Sequence, residues 1–268
     1  MKGMMKMDAN YYEIEKISDS AYKIYEDYQA SMYLVCGSER ACLIDTGYGG
    51  GDIWGVIRSI TDLPVFVINT HGHIDHTMGN RLFETVYLNS ADNAIYEEVI
   101  RDFPEIMKEA WVREKYGDEV TEIDMGAVHY PEAKEIKDGD VFDLGGVVLE
   151  VLQIPGHTPG SLALIDRKEK IVFTGDAIIE HCWMFLEHSL SKETYLAALK
   201  NAKEKLAGIE KIYNGHYAYH PMDIGILDVM IKGVEDIIAG KEAEAKPFEN
   251  DVGKGIEYFF DGWSVLFQ

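Results

Sequence analysis

Four apolar, strand-like runs of this chain each end in a short polar cluster, and this recurrence restricts the fold more than any other feature. The first run, Val65 to Ile68, leads into a string of histidine and aspartate residues at 71–76. The later clusters are Pro155-Gly156-His157, Thr174-Gly175-Asp176 and Asn214-Gly215-His216. Loops from separate parts of a chain converge where the strands of an α/β sheet end. We therefore expect the four clusters to lie together at one sheet edge.

The residue types in these clusters are those that bind transition metals. Imidazole nitrogens and carboxylate oxygens are good ligands for zinc, iron or manganese. A set of seven such groups fills two coordination spheres and leaves room for water. The seven candidates are His71, His73, Asp75, His76, His157, Asp176 and His216. The alternative reading of each, as a polar loop residue or a buried hydrogen-bonding group, does not account for their common position after strands.

The charge of the chain narrows the choice of partners. Acidic residues outnumber basic ones by 47 to 25, and the formal net charge is −22. This argues against nucleic acid and membranes as partners and favours a small-molecule substrate. No apolar run reaches the ~18 residues of a membrane span, and the first residues do not form a signal peptide, so we expect a cytoplasmic protein. The three cysteines lack CxxC spacing, which argues against a disulfide framework or a cysteine zinc site. A homodimer is left open.

Hydrophobic periodicity predicts two successive rounds of strands followed by helices. In the first round we expect an antiparallel meander, a helix capped by Asp52, two further strands, and a helical region over about 90–116 that is interrupted at Pro104. The strands of this round are predicted at 21–25, 31–37, 41–45, 65–68 and 86–88.

The second round holds more strands, two amphipathic helices and a closing hairpin. Strands are predicted at 141–142, 147–154, 161–165, 171–173 and 209–213, and helices through 196–206 and 227–238, the second ended by Gly240. The stretch 241–246 is predicted to be a solvated linker, and 256–267 a hairpin turned at Asp261-Gly262. With no domain boundary in view, we expect a single domain over 1–268 with a helical insertion at about 90–130.

The ordered motifs resemble those of the metallo-β-lactamase superfamily. Thr70-His71-x-His73-x-Asp75-His76-x-x-Gly79 is similar to its characteristic motif, and Asp45-Thr46-Gly47 to its first motif. The later motifs match in order, at Pro155 to Ser161, Phe173 to Asp176, and Gly215-His216. The resemblance spans about residue 20 to the C-terminus. It implies an α/β fold, a four-layer αββα sandwich with metals at one edge of the paired sheets.

The resemblance also implies how the ligands are shared between two divalent metal ions, zinc first, with iron or manganese as alternatives. His71, His73 and His157 would bind the first ion. Asp75, His76 and His216 would bind the second, and Asp176 would bridge the two. Asp75 would in addition be catalytic, by orienting the nucleophile and passing a proton to the leaving group. Asp45 would orient ligands through hydrogen bonds.

Details of the motifs narrow the activity that the resemblance implies. β-Lactamases with HxHxDH lack the bridging carboxylate that Asp176 supplies here, and acyl-homoserine lactonases typically carry a tyrosine where this chain has Ile179. The remaining glyoxalase II-like group implies a hydrolase that uses a metal-bridging hydroxide on a small thioester, ester or lactone. Glutathione specificity is disfavoured, because 177–190 contains no Lys or Arg. A mononuclear-iron enzyme like the persulfide dioxygenases, or a non-catalytic metal-bearing sensor, are the alternatives.

Residues near the metal motifs are candidates for substrate contact, with packing as the alternative role. They are Trp111, His181, Trp183, Tyr217, Tyr219 and His220. We also expect the helical region 90–116 and the segment 177–190 to form a mainly apolar lid. Its aromatic and thioether side chains would be Tyr96, Phe103, Met107, Trp111, Tyr116 and Trp183. Such a lid favours neutral acyl groups over polyanions, because an unpaired charge is costly to bury.

Overall fold

The strands in the described part of the chain form three sheets. The computed structural model describes residues 12–26, 30–106, 108, 128–216, 221–241, 244–250 and 252–268. The first sheet holds seven strands in chain order: β1 (Tyr12–Lys16), β2 (Ala21–Glu26), β3 (Ala30–Cys36), β4 (Ala41–Ile44), β5 (Val65–Ile68), β6 (Val86–Leu88) and β7 (Lys134–Glu135). Strands β1 to β4 pair antiparallel, which confirms the predicted meander, and β4 to β7 pair parallel.

The second and third sheets come from the later part of the chain. The second has the order β14 (Met222–Asp223), β13 (Lys211–Asn214), β11 (Ile171–Gly175), β10 (Leu162–Asp166), β9 (Val148–Gln153) and β8 (Val141–Asp143). The third has the order β12 (His181–Met184), β17 (Trp263–Phe267), β16 (Lys254–Phe260) and β15 (Glu244–Glu249). The predicted hairpin is confirmed, since β16 and β17 pair antiparallel across Asp261-Gly262.

In the described residues, five α-helices connect and cover these sheets: α1 (Ile53–Ile60), α2 (Ile74–Thr77), α3 (Asn93–Ile106), α4 (Lys192–Lys205) and α5 (Ile226–Ile238). Asp52 caps α1 as predicted, because its side chain accepts a hydrogen bond from the Gly55 N–H at 2.9 Å. Gly240 follows α5 with φ at +63° and ends it as predicted.

Within the described part of the chain, no helix combines the length and the apolar composition that a bilayer crossing requires.

Both faces of the central strands β3, β4 and β5 are buried, which explains why these strands are almost continuously apolar. In β3, Tyr33 and Val35 pack on one face in a core that they share with Leu164 of the second sheet. The alternate residue Leu34 packs on the other face, together with Ile57 of α1. The first sheet therefore lies between a helix and another sheet.

The second sheet mirrors this arrangement. In β10, Leu162 and Leu164 face the first sheet, whereas Ala163 and Ile165 face a core that contains Tyr195 of α4. The layers therefore run helix, sheet, sheet, helix, and the predicted αββα sandwich is confirmed. The third sheet, which the sequence did not predict, adds to the outer core through Val265.

The two main sheets are joined at the edge where the predicted clusters emerge. The Leu162 N–H donates to the Thr70 carbonyl at 2.9 Å, and the Ser31 N–H donates to the Gly215 carbonyl at 2.8 Å. Strands β4 and β5 end level with one another, because Ile44 is aligned with Ile68. Loops from both sheets therefore begin side by side at this edge.

Two local predictions are wrong. The helical region is not interrupted at Pro104, since α3 continues through it to Ile106; the proline removes one backbone hydrogen bond, but its fixed φ of about −65° is that of a helix. The predicted linker overlaps β15, an exposed edge strand whose charged residues pair with β16. Its Glu/Lys-rich composition is typical of protected edge strands as well as of linkers.

Candidate metal centre

The structure brings all seven predicted ligand residues into one cluster. Two triads form within it, His71 with His73 and His157, and Asp75 with His76 and His216, and a third group, His71 with His76 and Asp176, links them. In each group the ligand atoms lie within 4.8 Å of one another. Asp176 lies between the triads. Its Oδ2 is 3.7 Å from His157 Nε2 and 3.0 Å from His216 Nε2, and its Oδ1 is 3.5 Å from His76 Nε2.

Two glycines allow the ligands to approach this closely. A Cβ atom on Gly215 would lie 2.4 Å from Asp176 Oδ1 and 2.7 Å from His76 Cε1, so any other residue would displace both. Gly175 has φ at +49°, and a Cβ there would lie 2.2 Å from Thr70 Oγ1. The glycines of the third and fourth clusters are therefore required where β11 and β13 end.

Asp45 orients the second triad. Its Oδ1 accepts a hydrogen bond from the Thr70 N–H at 2.7 Å, and its Oδ2 lies 2.8 Å from both Thr70 Oγ1 and His76 Nδ1. A carboxylate only accepts hydrogen bonds, so His76 Nδ1 carries a hydrogen and Nε2 is the nitrogen that faces the cluster. The geometry fits the ligand-orienting role predicted for Asp45.

The first triad is oriented in the same way. The Thr70 hydroxyl gives its hydrogen to Asp45, so His71 Nδ1, 3.1 Å away, donates to Thr70 Oγ1. His157 Nδ1 donates to the Trp183 carbonyl at 2.6 Å. In both residues Nε2 is left as a lone-pair donor that faces the cluster, as a metal ligand requires.

The donor atoms fit a metal ion, because among the described residues several have no other partner. His71 Nε2, His76 Nε2 and Asp176 Oδ1 are buried without a hydrogen bond. A buried acceptor left unpaired costs free energy, and converging lone pairs also repel one another. A cation at this position would satisfy all three atoms. Nitrogen and carboxylate ligands of this kind suit zinc, iron and manganese.

The protonation of the cluster also favours cation binding. Burial, together with the neighbouring histidines, lowers the pKa of His71 well below its usual value and that of His73 to about 3. Burial disfavours the charged form of Asp75 and Asp176 as well, but the neighbouring His76 and His216 outweigh it and lower the pKa of both carboxyls. Neutral imidazoles and ionised carboxylates are the ligand forms that metals bind.

His76 is held between carboxylates. Burial on its own would lower its pKa, but Asp75, Asp45 and Asp176 reverse the direction and raise the pKa to about 9. A metal ion would replace this proton, so the same carboxylates that hold the proton would stabilise the ion.

A further aspartate, Asp92, joins the two loops that carry the first triad, and the sequence did not identify it. Its Oδ2 accepts from the Gly72 N–H at 2.8 Å and from Thr158 Oγ1 at 2.7 Å, and its Oδ1 accepts from the Gly160 N–H at 2.6 Å. Asp92 is fully buried. The only signal in the sequence was its place in a polar stretch directly after a strand, which is also typical of a helix cap.

The candidate cluster forms one end of a cavity of about 640 Å³. One wall is a face of α3 that carries Ile95, Glu98, Val99, Asp102 and Ile106. These positions recur at helical spacing, which places them on one side of the helix.

The predicted composition of this wall is wrong. Tyr96 and Phe103 do not line the cavity; they lie on another side of α3, are buried, and contact the ring of Tyr130. Both positions are offset by about one residue from those that face the cavity, and one residue rotates a helix by roughly 100°.

The remaining predicted substrate residues divide into two groups. His181 and Trp183 line the cavity, next to the cluster. Trp111, Tyr217, Tyr219 and His220 lie outside the described residues, as do Met107 and Tyr116. Acidic side chains that the sequence did not single out also line the cavity, namely Glu98, Asp102 and Glu187. Among the described lining residues there is no Lys or Arg.

Comparison with solved structures agrees with the architecture. A metallo-beta-lactamase from Pontibacter korlensis superposes with a TM-score of 0.63, over 84% of this chain and 99% of that chain. The sequences are 18% identical, so this likeness concerns the fold alone.

Several curated relatives are thioesterases by name. The acyl-coenzyme A thioesterase MBLAC2 of Gallus gallus is 28% identical over 212 residues, which cover 70% of this chain and 73% of that protein. The atrochrysone carboxyl ACP thioesterase dmxR1 of Cryptosporiopsis sp. is 26% identical over 235 residues, which cover 85% of this chain and 58% of that protein. The sequence model of the metallo-beta-lactamase superfamily matches residues 25–216. Because that match covers well over half of the chain, this protein belongs to the metallo-beta-lactamase superfamily.

Proposed function

We propose that this protein is a hydrolase that uses two metal ions to cleave small thioesters or esters. The observation that carries the proposal is the pair of donor triads, joined by Asp176, at one end of a cavity of about 640 Å³. His71, His73 and His157 would hold one ion, and Asp75, His76 and His216 the other. A nitrogen-rich set of this kind favours zinc, with iron and manganese as alternatives. Such ions supply hydroxide near neutral pH and polarise the carbonyl group of the substrate.

Asp75 is the proposed acid-base residue of the cluster. Its Oδ2 lies 3.2 Å from His216 Nε2 and 3.5 Å from His76 Nε2, and its side chain lines the cavity. With its pKa lowered by its histidine neighbours, the carboxylate is ionised and accepts a hydrogen bond from the attacking water. This contact orients the water and gives its proton an acceptor.

The cavity walls support an acyl substrate. Val99, Ile106, Ile179, Trp183 and Leu186 surround the space next to the cluster. Apolar contact of this kind contributes about 25 cal/mol for each Å² of the acyl chain that is removed from water. The thioesterase names of the two curated relatives support the thioester class.

The two-ion hydrolase is favoured over the mononuclear-iron enzyme, because the second triad is complete. Asp75, His76 and His216 would have no common role if a single ion were bound by the first triad. A non-catalytic sensor is disfavoured by the open cavity beside the cluster, which leaves room for a substrate.

Asp75→Asn is expected to lower kcat/KM for thioester hydrolysis by about 10²- to 10⁴-fold, because an amide neither takes a proton nor replaces a charged ligand. The measurement is hydrolysis of a panel of thioesters, esters, lactones and phosphodiesters by metal-loaded protein of known metal content. Asp143→Asn is the matched control, since this exposed aspartate only caps a turn at Gly145 and Gly146. Wild-type turnover by folded, metal-loaded Asp75→Asn would contradict the role, and an inactive wild type would contradict the function.

Asp92→Asn is expected to weaken metal binding by about 10- to 100-fold, the usual effect of losing a residue that supports the ligands. Hydrogen bonds reach both carboxylate oxygens of Asp92. In asparagine an NH2 group replaces one of these oxygens, and it cannot accept them. The measurement is a competition titration with a chelator of known affinity, again with Asp143→Asn as the control. Equal metal affinity in wild type and in folded Asp92→Asn would show that the loops need no such support.

Acidic side chains at the cavity are expected to disfavour polyanionic thiol carriers. Glu98 and Glu187 line the cavity, and Arg101, which pairs with Asp102, is exposed and does not line it. Coenzyme A carries several phosphate charges, whereas an N-acetylcysteamine thioester is neutral. Since salt screens such repulsion over a Debye length of about 10 Å at 0.1 M, kcat/KM for the coenzyme A thioester should rise with salt.

The test compares both thioesters of one acyl group between low and moderate salt. The rise should be confined to the coenzyme A thioester and should shrink in the double variant Glu98→Gln/Glu187→Gln. A coenzyme A rate that falls with salt would instead indicate a basic docking surface and contradict the prediction.

A further inference from the structure

Strand β12 places two side chains on the cavity wall. His181 and Trp183 line the cavity, whereas the alternate residues Cys182 and Met184 are buried in the core behind the strand. This alternation is the ordinary consequence of a strand whose successive side chains point to opposite faces. The third sheet therefore presents an imidazole to the same cavity that holds the proposed metal centre.

The imidazole of His181 is held by two neighbours on adjacent strands. Its Nδ1 lies 2.6 Å from Ser264 Oγ of β17 and 3.1 Å from Glu257 Oε1 of β16. The side chain of Glu257 is 14% exposed and that of His181 is 26% exposed. Both contacts are made by Nδ1, so Nε2 is the nitrogen left for the cavity.

The charge of Glu257 is directed towards His181. Lys246 lies opposite Glu257 in the β15–β16 pairing, but its ammonium group pairs with Glu244 at 3.0 Å. Glu257 therefore pairs with His181, and an imidazole held in this way can pass a proton from Nε2 to a departing atom. His188, which lies outside the cluster and also lines the cavity, pairs through Nε2 with Glu98. The side chain of Glu98 is 44% exposed, so solvent screens its charge more than that of Glu257.

We propose that His181 is a second catalytic residue, which protonates the leaving group, and that Glu257 and Ser264 are its positioning residues. This inference rests on the proposed hydrolase function. Asp75 would then accept the proton of the attacking water, and His181 would donate a proton to the departing atom.

In the proposed step, one proton moves from water to Asp75 and another from His181 to the leaving atom. The water oxygen bonds to the carbonyl carbon as one of its protons passes to Asp75. The bond from carbon to sulfur, or to oxygen in an ester, then breaks with its electron pair on the leaving atom. That atom takes the proton from His181 Nε2, and the neutral imidazole keeps the other hydrogen on Nδ1, next to Ser264 and Glu257. Solvent returns the proton from Asp75 to His181.

A series of leaving groups tests the proposal, because a good leaving group needs no proton. His181→Gln should lower kcat/KM for an alkyl oxyester by about 10²-fold or more, the usual size of general-acid catalysis. The loss for an aryl thioester of the same acyl group should stay within a few fold. His129→Gln is the matched control, since His129 is exposed and does not line the cavity. An equal loss for all leaving groups, or no loss, in folded and metal-loaded His181→Gln would overturn the proposal.

The positioning residues are tested by the same leaving-group series. Glu257 is the charged group that faces the ring, while Ser264 of β17, Phe248 of β15 and Trp183 of β12 are its uncharged neighbours. Glu257→Gln should lower kcat/KM for the alkyl oxyester and leave the aryl thioester within a few fold, because a misplaced imidazole no longer reaches the leaving atom. Glu257→Asp, which keeps the carboxylate, should restore part of the loss. An equal loss for both leaving groups, or no loss, in folded and metal-loaded Glu257→Gln would overturn the proposed pair.

Failure of the inference can be told apart from failure of the proposed function. If wild-type protein cleaves acyl substrates and His181→Gln shows no dependence on the leaving group, only the role of His181 is wrong. If metal-loaded wild type cleaves none of them, the hydrolase function is wrong, and the leaving-group role is overturned with it.

Discussion

Two buried aspartates, Asp45 and Asp92, hold the loops on which the candidate centre depends. Asp45 connects the end of β4 to Thr70 and His76, and Asp92 connects the loop of His71 to that of His157, which follows a strand of the other sheet. A buried carboxylate is costly unless hydrogen bonds satisfy it, and here backbone N–H groups and hydroxyls do so. These hydrogen bonds also fix the loops, so the lone pairs of the ligand residues point in fixed directions.

As a consequence, the cluster leaves buried polar atoms without hydrogen bonds, and a cation would satisfy them. Hydrogen bonds on the far side of His71, His76 and His157 fix the ring nitrogens that face inwards. Those nitrogens converge with the carboxylates Asp75 and Asp176, and several of the converging atoms have no partner among the described residues. The proposed hydrolysis follows from this arrangement and from the apolar cavity beside it, while the acidic residues of the cavity restrict which carriers can approach.

The αββα architecture could be predicted from the resemblance of the ordered motifs, and the grouping of the seven candidate ligands from local patterns. Apolar runs that stop at a histidine or aspartate indicate where strands end, and strand ends lie at one edge whatever the details of packing. Asp92 could not be found in this way, since a buried aspartate and an exposed helix cap look alike in sequence. The cavity face of α3 was mispredicted because the rotation of a helix is set by what packs around it, so Glu98 and Val99 face the cavity rather than Tyr96. Strand β15 was missed because its charges serve an exposed edge.

Metal stoichiometry tests the central claim most directly. Wild-type protein, stripped and reloaded, would be examined by elemental analysis beside Asp176→Ala, which removes the carboxylate placed between the triads. The account predicts two transition-metal ions for each wild-type chain and fewer than two for folded Asp176→Ala. One ion for each wild-type chain after full loading, with the same content in the variant, would contradict it.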